Sequence, residues 1–341
     1  MTGNQNKHYD LIIIGTGSGN SILTPEFDDK KVAIIESGKF GGTCLNVGCI
    51  PTKMYVLAAD AAYAPREAER LGIDLEYRGA KWPEIVQRVF DNRIDLIATG
   101  GEEYRRGDSC PNVDVYDQPA RFTGPRTVAT GTVDGPATIT GEQIIIAAGS
   151  RPRIPDWAQG VPFHTNEDIM RLPELPESLT IVGGGFIAME FAHVFEALGT
   201  KVTVVSRSPF LRSLDQTLRE QFNEIASARF DTRRAHVTSA REVEGGIELL
   251  LDDGSLVTSQ HLLLATGRIP NGDELCVEAA GVELDGAGRV KVDDYGRATA
   301  EGVWALGDVS SPFMLKHVAN AEARAVGANV LRVFNGEEPS R

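Results

Sequence analysis

Two of the four cysteines in the chain, Cys44 and Cys49, lie five positions apart in the stretch GGTCLNVGCIPTK (41–53). In a regular α-helix, Cα atoms five residues apart are separated by roughly 8–9 Å, whereas a disulfide requires about 4.4–6.8 Å. Gly48 loosens the backbone between the cysteines, and Pro51 removes a backbone hydrogen-bond donor. The stretch therefore predicts a departure from helical geometry, which suits a redox-active pair of thiols.

The composition is that of a globular protein with about two domains. The chain has 341 residues, of which 42% are hydrophobic and 24% charged. Its net charge of −14 argues against a nucleic-acid partner, because such surfaces carry an excess of Lys and Arg. No apolar run approaches the roughly 20 residues of a membrane span, and the N-terminus, residues 1–10, lacks the apolar core of a secretory signal. We therefore expect a cytoplasmic protein, in which disulfides are rare unless redox-active, and we expect Cys110 and Cys276 to be packed thiols.

A strand–turn unit precedes the cysteines. HYDLIIIGTGSGN (8–20) has the pattern of an apolar strand, a glycine-rich turn and a helix, and KVAIIES supplies the next strand. Gly15 allows the tight turn, Gly17 lets a pyrophosphate approach the backbone, and Glu36 can accept hydrogen bonds from ribose hydroxyls. The third glycine position of this dinucleotide fingerprint holds Asn20. We therefore expect the helix–strand packing there to accommodate a larger side chain.

A second unit of the same kind begins with SLTIVGGGFIAMEFA (178–192). Gly183, Gly185 and Ala188 fill the G-x-G-x-x-A form of the fingerprint, and KVTVVSR supplies the following strand. Each unit closes with a similar strand, QIIIAAG in the first and HLLLATG in the second, and short β segments with Gly-containing turns precede both. The chain thus predicts two nucleotide-binding units.

The second strands of the two units end in opposite charges. The first ends on Glu36, whereas the second ends on Ser206 and Arg207, with Arg212 nearby. A carboxylate suits a free ribose hydroxyl, and arginine suits a 2′-phosphate. The two units therefore predict different nucleotides, with NADPH on the second. The alternative for Arg207 is a solvated surface charge.

Together these motifs resemble the FAD-dependent pyridine nucleotide–disulfide oxidoreductases, the family of glutathione reductase and dihydrolipoamide dehydrogenase. GGTCLNVGCIPTK is similar to the redox-disulfide motif of that family, ATAEGVWALGD to its second flavin motif, and AAGSRP and ATGRIPN to the strands that close its domains. The resemblance covers essentially the whole chain. Within the family, GTGSGNS, CIPTKM, GGGFIAMEFAHVF and SSPFMLKHVANAEAR resemble the subgroup that reduces mycothione, the disulfide of mycothiol.

The resemblance implies an α/β fold with two Rossmann-like dinucleotide-binding domains, the second inserted in the first, each with a parallel sheet and a small antiparallel β segment. We expect an FAD-binding domain at 1–150 that resumes at 271–341, with an NADPH-binding domain at 151–270. Family members continue into a C-terminal interface domain that forms the homodimer and supplies a His-Pro acid–base motif. None of the six histidines here precedes proline. We therefore expect that domain to be absent, the homodimer to be doubtful and disulfide turnover by this chain alone to be poor.

The resemblance also implies roles for the residues around the cysteines. Cys49 would lie next to the flavin, and Cys44 would attack the substrate disulfide. Lys53 would lie near flavin N5 and pair with Glu190. The alternatives are a surface lysine and an ordinary helix carboxylate.

The remaining cofactor residues that the resemblance implies fall into two sets, and no metal site is expected. Phe186 takes the place of a tyrosine that covers the nicotinamide pocket in several relatives. His317 would open a helix facing the pyrimidine edge of the flavin, although a capping or packing role is the alternative. The FAD set is Gly15, Gly17, Ser18, Glu36, Gly42, Thr43, Ala148, Gly149, Gly307, Asp308 and His317. The NADPH set is Gly183, Gly185, Phe186, Ile187, Glu190, Arg207, Arg212 and Gly267.

The function implied is reduction of a small-molecule disulfide, mycothione, with electrons passing from NADPH through FAD and the Cys44–Cys49 disulfide. Two alternatives stay open. A dihydrolipoamide dehydrogenase would pass electrons to NAD and would favour an acid near position 206. The other alternative is a flavin-binding protein without turnover, because the His-Pro acid–base motif is missing.

Overall fold

A computed structural model describes residues 7–341, so that the first six residues of the polar N-terminal stretch lie outside the described residues. The chain forms two compact units. Unit 1 combines the segment that ends at Asn46 with Asp95–Arg151 and Ile269–Arg341, and unit 2 combines Val47–Ile94 with Pro152–Arg268. The predicted division into FAD and NADPH segments, at 150 and 270, stays a prediction.

Within residues 7–341 the chain forms sixteen β-strands, of three to twelve residues each. In chain order they are β1 (Lys7–Ile14), β2 (Val32–Ile35), β3 (Val113–Tyr116), β4 (Arg121–Gly124), β5 (Thr127–Thr132), β6 (Gly135–Ile146), β7 (Ser150–Pro152), β8 (Ser178–Val182), β9 (Lys201–Val205), β10 (Asp231–Arg233), β11 (Val237–Val243), β12 (Gly246–Leu251), β13 (Leu256–Ser259), β14 (His261–Leu264), β15 (Arg268–Pro270) and β16 (Val303–Ala305).

Seven α-helices accompany these strands within residues 7–341. They are α1 (Gly42–Asn46), α2 (Cys49–Ala68), α3 (Trp82–Val89), α4 (Asp95–Arg106), α5 (Phe186–Ala197), α6 (Gln216–Arg229) and α7 (Lys316–Phe334). None of the helices in this described part has the length and apolar character needed to cross a membrane.

Unit 1 is built on one large sheet with the strand order β3-β2-β1-β6-β5-β4. Strand β16 pairs with the C-terminal part of β6, at 144–146, whereas β5 pairs with its N-terminal part. Strands β1, β2, β3, β6 and β16 are parallel, whereas β4, β5 and β6 pair antiparallel. Alternate residues of β1 enter two different cores, Ile12 and Ile14 on one face and Leu11 and Ile13 on the other. Because both faces are covered, β1 is a continuous apolar run, as parallel strands generally are.

Unit 2 contains a four-stranded parallel sheet, in the order β10-β9-β8-β14, and a separate antiparallel sheet, β11-β12-β13. Alternate residues of β12, Ile247, Leu249 and Leu251, share a buried cluster with Val182 and Leu262 of the parallel sheet. The strand period of two thus directs one face of the antiparallel sheet into the core of this unit. The predicted fold class, with a parallel sheet and antiparallel segments in each unit, is confirmed.

The first glycine-rich turn is not followed by the α-helix that its pattern predicts. Two short 3₁₀ turns, Gly19–Ile22 and Pro25–Phe27, take its place. Thr24 is extended, with φ −99° and ψ 170°, because the residue before a proline is disfavoured in the helical region. Thr24 and Pro25 therefore interrupt the chain before an α-helix can form after the glycine turn.

Candidate active site

The glycine turn of unit 1 makes a close backbone approach that only glycine permits. Gly15 has φ +103°, and a Cβ there would lie 2.3 Å from the carbonyl oxygen of Ala147. The Gly15 amide donates to the carbonyl of Ile35 at 2.8 Å, which joins the turn to the end of β2. At Gly17 a Cβ would have one heavy atom within 4 Å, the Cα of Gly42 at 3.8 Å. The backbone at Gly17 is thus open enough for a phosphate group to approach.

The start of the redox motif packs on this turn. Gly42 has φ +67°, and a Cβ there would lie 2.6 Å from the Cα of Gly17. The Gly41 amide donates to Oγ1 of Thr16 at 3.0 Å. Thr16 is 1% exposed, and its position inside GTGSG is a local signal for this contact that sequence reasoning missed. The glycines at 41–42 therefore bring the helix that carries Cys44 onto the nucleotide turn.

Glu36 is held in place by the same turn. Oε2 of Glu36 accepts from the amide and the hydroxyl of Thr16, at 2.9 and 2.6 Å, and Oε1 accepts from the Gly38 amide at 3.0 Å. The carboxylate therefore lies at the end of β2 and beside the turn, where the sequence places it. An oxygen in this position can also accept from a ribose hydroxyl.

The packing of the turn on β6 involves Gly19 and not the residue that follows it. A Cβ on Gly19 would lie 2.7 Å from Cβ of Ala147. Asn20 points elsewhere, and its Oδ1 accepts from Nε of Arg105 at 2.8 Å. The expectation that a larger side chain is accommodated at the close approach is therefore wrong, since the glycine at that approach is shifted by one position.

Other predicted FAD residues of unit 1 form hydrogen bonds with polar side chains. Ser150 donates to Oδ2 of Asp308 at 2.7 Å, and the Gly307 amide donates to Oε2 of Glu322 at 2.7 Å. Ser18 is 8% exposed and donates to Oδ1 of Asn320 at 2.9 Å. The same hydroxyl accepts from the Lys316 ammonium at 3.1 Å. Three more members of the predicted set lie at Ala148, Gly149 and, in the first turn of α7, His317.

The predicted break between the two cysteines is confirmed. Helix α1 ends at Asn46 and α2 begins at Cys49. Gly48, between them, has φ −132° and ψ −126°, far from helical values. Cys44 is half-buried within unit 1, and Cys49 is exposed within unit 2. The amide nitrogen of Asn46 donates to the carbonyls of Phe40 and Gly42, at 2.8 and 3.1 Å, which fixes the loop before Cys44.

Unit 2 repeats the glycine geometry of unit 1. Gly183 has φ +149°, a Cβ there would lie 2.2 Å from the carbonyl oxygen of Ala265, and its amide donates to the carbonyl of Val205 at 2.9 Å. Gly185, which precedes α5, has no heavy atom within 4 Å of a Cβ position. The predicted Gly267 also has a positive φ, +124°. The second turn is therefore as open to a phosphate as the first.

The end of β9 carries a buried serine where the end of β2 carries an acid. Ser206 is 5% exposed, and its hydroxyl donates to the Ser208 carbonyl at 2.8 Å. A Cβ on Gly184 would lie 2.5 Å from Oγ of Ser206. Arg207 and Arg212 follow, and both side chains are exposed to solvent. The site thus has cations where the first unit has a carboxylate.

Lys53 and Glu190 form an ion pair within unit 2, as the family resemblance implies. Lys53 lies one turn after Cys49 in α2, and Glu190 lies in α5. Both line a cavity of about 420 Å³. Phe186, the first residue of α5, also lines it and is 56% exposed. Ile187 follows in the same turn. A charged pair beside an apolar ring gives this cavity an amphipathic wall.

A segment of unit 2 at 164–172 is hydrogen-bonded to α2, to α3 and to the backbone just before α2. The hydroxyl of Tyr55 donates to the Met170 carbonyl at 2.5 Å, and Nε1 of Trp82 donates to the Leu172 carbonyl at 2.7 Å. Near its start, the buried amide of Asn166 donates to the Val47 carbonyl at 2.9 Å. Sequence reasoning missed this segment, because no local spacing relates it to the cysteines.

Two histidines and an acid form a hydrogen-bonded chain at the start of that segment. Nδ1 of His164 contacts Oδ2 of Asp168 at 2.5 Å, and its Nε2 contacts Nδ1 of His261 at 2.9 Å. Burial, and then the neighbouring His164, lowers the pKa of His261. Burial alone would raise the pKa of Asp168, but the hydrogen bonds from His164 and from the Thr165 amide outweigh it and lower that pKa. The hydrogen-bonded chain therefore favours a neutral His261 at one end and an ionised Asp168 at the other.

Comparisons with known proteins agree with this arrangement. Mycothione reductase of Mycobacterium tuberculosis is 53% identical over 331 residues, which cover 95% of this chain and 71% of that protein. Glutathione reductase of Burkholderia cepacia is 33% identical, over 96% of this chain and 72% of that protein. A solved Cu(II) complex of the HOCl-induced flavoprotein disulfide reductase RclA from Escherichia coli covers 99% of this chain, and 73% of its own chain is covered, with a TM-score of 0.84 at 27% identity. Residues 9–324 match the pyridine nucleotide-disulphide oxidoreductase family, and the chain therefore belongs to it.

Proposed function

We propose that this chain is an NADPH-dependent flavoprotein that reduces mycothione through Cys44 and Cys49. The observation that carries the proposal is the repeated glycine approach, Gly15 to Ala147 and Gly183 to Ala265, at nearly equal distances of 2.3 and 2.2 Å. One of the two turns carries a CxxxxC motif docked on it through Gly42. Electron transfer from NADPH through FAD to a disulfide requires two nucleotide-binding turns and a pair of thiols, and the chain has both.

FAD fits the residues of unit 1. The open backbone at Gly17 suits the pyrophosphate, and the Glu36 carboxylate suits the adenosine ribose. Asp308, held by Ser150, would accept from the ribityl hydroxyls. When bound, the flavin takes a hydride from the nicotinamide and supplies two electrons to a disulfide.

NADPH fits the residues of unit 2. The open Gly185 before α5 suits its pyrophosphate, and Arg207 and Arg212 suit its 2′-phosphate. Ser206 followed by Arg207 argues against the alternative of an NAD-dependent dihydrolipoamide dehydrogenase, because that reading favours a carboxylate near position 206. Phe186 would border the nicotinamide pocket.

Thiol–disulfide exchange then proceeds through the two cysteines. The Cys44 thiolate attacks one sulfur of the substrate disulfide, which releases one thiol and leaves a mixed disulfide. The Cys49 thiolate attacks the Cys44 sulfur, which releases the second thiol and restores the Cys44–Cys49 disulfide. Cys49 lies in the first turn of the 20-residue helix α2, whose positive end favours the thiolate. The Lys53 ammonium, one turn on, acts in the same direction.

The partner is thus a small-molecule disulfide, and the net charge of −14 gives no support to a nucleic acid. A reductase that consumes NADPH works where that nucleotide is supplied, so we infer a cytoplasmic location.

Steady-state oxidation of NADPH by the FAD-loaded chain tests the proposal. We expect mycothione to be preferred over glutathione disulfide, NADPH over NADH, and all disulfide reduction to be lost in Cys44→Ser. Equal rates with both disulfides would contradict the substrate assignment, and a fully active Cys44→Ser variant would contradict the mechanism.

A further inference from the structure

The sequence of the redox motif leaves one backbone acceptor without its helical partner. In a continuous helix, the Val47 carbonyl would accept from the backbone N–H of residue 51. Residue 51 is proline, which has no N–H. Gly48, the next residue, accepts normally from the Thr52 amide at 3.0 Å. The Val47 carbonyl, which lies between Cys44 and Cys49, therefore has no helical donor, and another part of the chain can supply one.

Asn166 supplies such a donor. Its Nδ2 lies 2.9 Å from the Val47 carbonyl oxygen, although the two residues are 119 positions apart in sequence. Asn166 is 6% exposed, so water does not readily replace the bond. Both residues belong to unit 2.

A second contact fixes which way the amide of Asn166 points. NH1 of Arg268 donates to Oδ1 of Asn166 at 3.2 Å. A guanidinium can only donate, so the oxygen must face Arg268 and the nitrogen must face Val47. An aspartate would keep the contact with Arg268 and lose the donation to the Val47 carbonyl, and an aliphatic residue would lose both.

The segment that carries Asn166 is itself anchored. The bonds from Tyr55 to Met170 and from Trp82 to Leu172 tie the 164–172 segment to α2 and α3. Tyr55 and Trp82 are 0% and 2% exposed, respectively. Asn166 therefore acts from a rigid support and not from a mobile loop.

We propose that Asn166 is a positioning residue for the redox pair. It holds the Val47 carbonyl so that the glycine-containing link between Cys44 and Cys49 keeps the conformation in which the two sulfurs join. Gly48 has no side chain to restrict that link, so losing the bond releases backbone freedom that disulfide closure must then remove. The inference rests on the proposed function, because it requires Cys44 and Cys49 to be a disulfide couple.

The experiment measures the thiol–disulfide equilibrium of the FAD-loaded full chain in buffers of reduced and oxidised dithiothreitol. Each oxidised dithiothreitol that reacts is reduced to its dithiol while one Cys44–Cys49 disulfide forms, and alkylation with mass spectrometry counts the remaining thiols. We expect Asn166→Asp to lower the equilibrium constant for disulfide formation about tenfold, a potential about 30 mV less negative.

Tyr55→Phe is the matched control, since it removes one buried hydrogen bond from the same segment without touching the redox link. We expect it to lower the melting temperature and to change the equilibrium constant by far less than Asn166→Asp does, because the bond from Trp82 to Leu172 still anchors the segment. Arg268→Met, which retains Asn166 but frees its orientation, should shift the constant in the same direction by less, and it serves if Asn166→Asp does not fold.

Three results would overturn the inference. A wild-type constant in both Asn166→Asp and Arg268→Met would show that the amide does not position the pair. Equal shifts in Asn166→Asp and Tyr55→Phe would show only general loosening of the segment. A wild-type protein that forms no Cys44–Cys49 disulfide would contradict the proposed function itself, and so is distinguishable from the other two.

Discussion

Replacing Gly42 by alanine should separate the redox motif from the nucleotide turn. The residue has φ +67°, and the new methyl carbon would lie 2.6 Å from the Cα and 3.1 Å from the backbone nitrogen of Gly17. A non-glycine residue at positive φ costs about 1–3 kcal/mol, and overpacking against backbone costs about 1–3 kcal/mol more. We therefore expect Gly42→Ala to lower the free energy of unfolding by about 2–6 kcal/mol.

Gly17→Ala is the informative comparison, because the two glycines face each other. A methyl at Gly17 would have its nearest neighbour at 3.8 Å, an ordinary contact, and the residue does not have a strained positive φ. We expect its stability to change by less than about 1 kcal/mol. Its methyl group would, however, occupy space that the FAD pyrophosphate is proposed to use, so flavin content should fall sharply.

Urea denaturation of the apoproteins and flavin absorbance after reconstitution distinguish the two effects. Gly42→Ala should shift the urea midpoint with an unchanged slope, which indicates a change in stability and not in the exposed surface. The reasoning would be refuted by a wild-type midpoint for Gly42→Ala, or by full flavin content in Gly17→Ala.

Three further changes test separate parts of the site. Arg207→Ala should raise KM for NADPH about tenfold to a hundredfold and leave KM for NADH unchanged; equal effects on both would contradict the 2′-phosphate assignment. Thr16→Val should lower the free energy of unfolding by about 2–3 kcal/mol, because it removes the bonds to Glu36 and from Gly41; an unchanged urea midpoint would contradict this. Since the pKa of His261 is lowered from 6.5, the unfolded chain binds more protons, and stability present above pH 6.5 should fall as the pH drops below it. His261→Gln should flatten that dependence between about pH 7 and 5, and an unaltered pH profile of the melting temperature would count against it.

Features that depend on local spacing could be predicted from the sequence. The glycine turns, the break between Cys44 and Cys49 and the pairing of Lys53 with Glu190 all follow from motifs whose backbone requirements are short-range, or from the family resemblance. The parallel sheets follow from the continuous apolar runs that precede each turn.

Features that depend on which distant residue fills a local need could not be predicted. Pro51 visibly removes the donor for the Val47 carbonyl, but nothing in the sequence indicates that Asn166 replaces it. The missing helix after the first glycine turn follows from Thr24 before a proline, a boundary signal that the strength of the fingerprint concealed. Gly19, where the close approach to Ala147 occurs, is also the first residue of the short 3₁₀ turn that takes the place of that helix.

Anaerobic titration of the FAD-loaded chain with NADPH tests the central claim most directly. Electrons that reach the Cys44–Cys49 disulfide leave a thiolate beside oxidised flavin, and we predict a long-wavelength absorbance band that is lost in Cys49→Ser and retained in Cys110→Ser, where the thiol is buried elsewhere in unit 1. Bleaching of the flavin without this band, with Cys44 and Cys49 still joined as a disulfide, would contradict the account.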